Sequence, residues 1–127
     1  MKIIIVTNNS KVFNFYKETN EVIFNQKQDL VEFLEFIKTK IYKGHQILSD
    51  PILSNIETPE NTYKSIIISK EIFEENDYQE KLIEKVIGIA QKIENRKKFY
   101  EFDENSLEEY RFIDLNLLND AIKSLEN

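Results

Sequence analysis

The chain opens on an unbroken apolar run, Ile3-Ile4-Ile5-Val6, set between Lys2 and the polar stretch Thr7-Asn8-Asn9-Ser10. β-Branched residues without polar alternation predict a strand over residues 2–6, buried on both faces. Asn8, Asn9 and Ser10 are turn and capping residues. Val12, Phe13 and Tyr16 then fall at helical spacing, which predicts a short helix over about residues 10–19. Glu21-Val22-Ile23-Phe24 predicts a second strand. Leu30, Phe33, Leu34, Ile37 and Ile41 form one apolar stripe, so a helix is expected over about residues 28–42. Lys38, Lys40 and Lys43 complement its C-terminal dipole, and Gly44 is suited to close it.

A second unbroken run, Ile66-Ile67-Ile68 inside residues 64–69, predicts a third strand. Asp77 and Glu80 have the spacing of a capping box. The stripe Leu82, Ile83, Val86, Ala90 and Ile93 carries a helix to about residue 98. Gly88 within it costs up to about 1 kcal/mol against Ala and marks a place for close packing. Two stretches have no clear period. Residues 44–63 are long for a loop and signal either function or a further element. Residues 99–113 read as a short helix capped at Ser106 or as an edge strand at Tyr110-Arg111-Phe112-Ile113. Leu115, Leu118, Ile122 and Leu125 mark a last helix over about residues 114–125.

This order predicts one α/β domain spanning residues 1–127, a small three-layer Rossmann-like fold with a mostly parallel sheet of three or four strands. The expected strand order is 2-1-3, with the doubtful strand outside the third. Parallel first and third strands put Asn8 and the entry to the third strand, residues 61–65, on opposite edges. Ligands in such sheets gather beyond the carboxyl ends of the strands, here Thr7-Asn8-Asn9, Asn25 and Ser69-Lys70-Glu71.

Composition narrows the chemistry. With 127 residues, 41% of them apolar, two Gly and two Pro, the chain can build a core without staples. No apolar run approaches a membrane span, and the first run is too short for a secretory signal, so a cytoplasmic protein is expected. Without Cys, disulfides, thiolate metal sites and thiol catalysis are excluded. The single His, His45, makes a transition-metal site a poor reading, although a carboxylate site for magnesium stays open. Residues 100–127 carry eight acids against Arg111 and Lys123, which is the whole net charge of −6. A neutral body with an acidic end argues against nucleic acid as partner. Arg96-Lys97-Lys98 reads as a helix-end cluster that complements the dipole.

The candidate contacts are Asn8, Asn9, His45, Asp50, Tyr63 and Lys64. Asn8 and Asn9 stand where a strand feeds a helix, a place where amides and free N–H groups can meet an anion. Neither GxGxxG nor GxxxxGK[ST] is present, so dinucleotide and nucleoside triphosphate binding lack support and no cofactor is expected. His45 is suited to acid, base or donor roles near neutral pH, and Asp50 to orienting it or capping a turn before Pro51. No GxSxG elbow accompanies Ser49 or Ser65. Tyr63 and Lys64 enter the third strand as anion or partner contacts.

Three segments together resemble the GrdX family: Thr7-Asn8-Asn9, Gly44-His45-Gln46-Ile47-Leu48-Ser49-Asp50-Pro51-Ile52, and Asn61-Thr62-Tyr63-Lys64-Ser65. The likeness covers about residues 3–70. Ser10 stands where the family commonly has Pro, Asp50 where His is expected, and Pro59-Glu60-Asn61-Thr62-Tyr63 lacks a Pro directly before Tyr63. The resemblance implies an accessory protein of a glycine, sarcosine or betaine reductase system of amino-acid fermentation. Such a protein is expected to be non-catalytic, acting on reductase subunits or a small anionic metabolite. The alternative is a small enzyme for a phosphorylated or carboxylated metabolite, with His45 as acid/base and Lys64 as anion holder. It requires His45 and Asn8 in one pocket. A third reading is a homodimer joined through a strand or helix face.

Overall fold

The computed structural model describes residues 2–26, 29–51, 61–96 and 103–126. Ile52, Pro59, Lys97 and Lys98, with parts of both ambiguous stretches, lie outside them. The described residues form three strands, β1 (Ile3–Thr7), β2 (Glu21–Phe24) and β3 (Ser65–Ser69). They also form four helices, α1 (Ser10–Tyr16), α2 (Leu30–Ile41), α3 (Asp77–Arg96) and α4 (Glu104–Glu126).

The strand order is β2-β1-β3. β1 pairs with β2 in parallel, Ile5 opposite Val22. It pairs with β3 antiparallel, Ile5 opposite Ile67 and Thr7 opposite Ser65. The sheet is therefore mixed, and the expected parallel pairing of the first and third strands is corrected. An unbroken apolar run carries no signal of strand direction, because an Ile packs equally well in either ladder. Direction is set by where the chain enters, and residues 61–64 enter β3 beside the carboxyl end of β1.

Alternation sorts the strand residues between two cores. Ile4, Val6, Ile66 and Ile68 face α2 and α3, among Phe33, Leu34, Ile37, Ile41 and Ile83. Ile5 and Ile67 face α1 and α4, against Val12, Leu115 and Leu118. The sheet thus has helices on both faces and explains both apolar runs. Burying each of these side chains stabilises the fold by about 1.5–3 kcal/mol.

The helix ends follow local chemistry, with three departures from expectation. Gly44 closes α2 as expected, its N–H on the Ile41 carbonyl at 2.9 Å and its φ at +111°. Asp77 is the first residue of α3 and not its cap. Asn76 precedes it, its carbonyl accepting from the Glu80 N–H at 3.0 Å. Asn76 instead spends its amide on the Ile41 and His45 carbonyls, 2.9 and 2.8 Å away, which ties the end of α2 to the start of α3. Gly88 meets no other part of the chain within 4 Å of where a Cβ would stand, so close packing does not explain it. Residues 110–113 lie within α4, because Asp114, Leu115 and Leu118 continue one buried face and Asp103 caps the start, accepting from the Ser106 N–H at 2.8 Å. The outer flank of β3 is taken by Gln46–Leu48 instead, where Ile47 bridges Ile68 and the Leu48 N–H reaches the Ile67 carbonyl at 2.8 Å.

Candidate functional site

Because β3 runs against β1, the end of the first and the start of the third meet at one rim. Thr7 and Ser65 face each other there, their hydroxyls 2.7 Å apart. Asn8 extends the ladder with its side chain. Its Oδ1 accepts from the Lys64 N–H at 2.7 Å and its Nδ2 donates to the Thr62 carbonyl at 2.9 Å. Its own N–H reaches the Lys64 carbonyl at 3.2 Å. The amide stands in for a peptide rung, as an Asn side chain can wherever a strand ends in a turn.

Asn9 joins the same rim to α4. Its Oδ1 caps α1 through the Lys11 N–H at 3.0 Å. Its Nδ2 donates to the Arg111 carbonyl at 2.9 Å and to the Asp114 carboxylate at 3.0 Å. Ser65 donates to the same carboxylate oxygen at 2.7 Å. Asp114 is buried, and burial pushes its pKa up against the pull of Asn9, Ser65 and the Lys64 charge. Lys64 is only 3% exposed. Burial brings its ammonium down to about 8, while Asp114 and Asp50 help to hold its proton.

Asn61, Tyr63 and Arg111 form the outer part. Asn61 accepts from the Tyr63 N–H at 2.9 Å and donates to the Tyr110 carbonyl at 3.2 Å. Arg111 donates to the Tyr63 hydroxyl at 2.9 Å and lies over its ring at 5.5 Å. It also pairs with Glu104 and Glu108, and these carboxylates raise its pKa.

Asn8, Asn9, Asp50, Tyr63 and Lys64 are thus gathered at one rim. The amides of Asn8 and Asn9 are spent on the fold. His45 lies at the other end of β3, its Nδ1 at 2.7 Å from the Ser69 carbonyl. A carbonyl only accepts, so Nδ1 carries the hydrogen. Four strand steps separate Ser65 from Ser69, about 13 Å. The enzyme alternative's requirement that His45 and Asn8 share a pocket is therefore not met. Antiparallel pairing brings the Asn61–Ser65 motif to Asn8 and leaves His45 behind. Sequence reasoning missed Asp114 and Arg111.

Among the described residues, no group of three His, Cys, Asp or Glu side chains is placed to hold a metal ion. No described helix is long and apolar enough to cross a membrane. Neither the curated proteins nor the solved structures compared with the chain gave a match. The family model described as GrdX-like protein matches residues 4–123, which include the rim, all four helices' buried faces and the Gly44–Asp50 stretch. The chain belongs to the GrdX-like protein family.

Proposed function

We propose that this chain is a non-catalytic accessory protein of a glycine, sarcosine or betaine reductase system, and that it works by binding a small carboxylate or phosphate at the rim around Lys64. The tie to a glycine reductase comes through the family's name. The observation that carries the binding reading is the burial of Lys64 at this rim, 3% exposed, which pulls its pKa down. A cation in such a setting has lost much of its hydration. An anion that reaches it gains more than it would at an exposed lysine, since the local dielectric is lower. Asp50 is exposed and contributes to holding the Lys64 proton. In this reading an incoming anion replaces that contribution. Asn8 and Asn9 then position the rim, and Lys64 with Tyr63 makes the contact. The non-catalytic reading is supported by the place of His45, the acid/base candidate of the enzyme alternative, at the far end of β3.

The test is a thermal-shift series with acetate, glycine, betaine, acetyl phosphate and inorganic phosphate, with a neutral sugar as control. One of the anions should raise the melting temperature, because ligand bound only to the native state stabilises it. Lys64→Met should abolish that rise. A flat series, or a rise that survives Lys64→Met, removes the reading. Co-purification with a reductase component tests the assignment to that system separately.

A further inference from the structure

The Gly44–Leu48 stretch does not contribute to the rim. It builds the wall of a different cavity of about 480 Å³, at the end of the sheet where β1 begins and β3 stops. That volume lies within the range of small-molecule sites. Each wall is fixed by backbone bonds. The Ser69 N–H donates to the Gln46 carbonyl at 2.8 Å, the Lys70 N–H to the Lys2 carbonyl at 3.2 Å, and the Phe73 N–H to the Gly44 carbonyl at 3.0 Å. His45 donates its Nδ1–H to the Ser69 carbonyl at 2.7 Å.

Gly44 explains the seat of Phe73. Its φ of +111° and the approach of the Phe73 carbonyl, 2.8 Å from where a Cβ would stand, admit no side chain. The motif glycine and histidine therefore act on this pocket as positioning residues.

The lining fixes the ligand chemistry. Leu48 and Phe73 give apolar walls, and carbon surface outweighs polar surface in the cavity. Lys70 is engaged with Glu21 at 3.2 Å. Lys2 and Glu71 also line the space, and neither forms an ion pair among the described residues. One cation, one carboxylate and an apolar wall complement a ligand that carries both charges on an apolar body. The geometry points to a binding site for an apolar zwitterion of the amino-acid class, with Lys2 meeting the carboxylate and Glu71 the ammonium. The site is separate from the Lys64 rim and does not depend on its reading.

The experiment titrates L-phenylalanine, 3-phenylpropionate and 2-phenylethylamine into the intact protein. Affinity is read by calorimetry, and location by amide shifts at Leu48 and Phe73 in NMR spectra. The zwitterion should bind more tightly than either singly charged analogue, by up to about fivefold, the scale of one partly exposed ion pair. Lys2→Met and Glu71→Gln, both at exposed positions, should each weaken it, while Lys64→Met leaves it unchanged. The inference is overturned if no probe binds saturably, if the acid or the amine binds as tightly as the amino acid, or if only Lys64→Met abolishes binding.

Discussion

Lys64 makes the energetics of the rim measurable through pH. Its pKa is about 8 in the folded chain against 10.5 for an unperturbed lysine. Between those values the unfolded chain holds the proton that the native state has released. Stability contributed by this group therefore rises with pH across the window. Integrating the two titrations gives a gain of about 2.5 kcal/mol from pH 7 to pH 10. At pH 7 the whole shift, about 3.4 kcal/mol, is the cost of keeping the buried ammonium charged. The perturbation is Lys64→Met, which keeps the stem and removes the titration. The assay is urea unfolding followed by far-UV circular dichroism at pH 7, 8, 9 and 10 on both proteins. Tyr16 and Tyr42 also titrate late, both raised by burial and nearby carboxylates. The variant retains them, so they largely cancel in the difference. The wild-type chain should gain on the variant by about 2.5 kcal/mol over this range. A difference that stays flat, or falls with pH, would falsify the desolvation argument for Lys64.

Two further outcomes follow from the same geometry. Asn9→Ala removes the cap of α1 and the two donor contacts to α4, and it takes one of the donors from the buried Asp114 carboxylate. A loss of about 2–3 kcal/mol in urea unfolding is expected from the cap and the unsatisfied acceptor together; a loss below that of a cap alone would show that α4 is held elsewhere. Gly88→Ala meets no obstacle within 4 Å, so the helix should gain about 0.5–1 kcal/mol, and a lower melting temperature in the variant would count against the open site.

The sequence alone determined the three strands, α2 and the strand order, but not the extent of α4. The runs Ile3–Val6 and Ile66–Ile68 and the stripe from Leu30 to Ile41 carry enough local signal to place β1, β3 and α2 within a residue or two. Gly44 was legible as a helix terminator because a positive φ selects glycine. Strand direction was not, since antiparallel and parallel ladders accept the same branched residues. That single unknown decided which motifs share a site. Antiparallel pairing put Lys64 and Ser65 against Asn8 and Thr7, and sent His45 to the far end with Gln46 and Leu48. The role of Asp114 was equally out of reach. Its acid reads locally as part of a solvated face, and only the packing of α4 over β1 and β3 buries it between Asn9 and Ser65. Local pattern fixes what a segment becomes. Which polar groups are then stripped of water depends on contacts between segments a hundred residues apart, and no local window contains them.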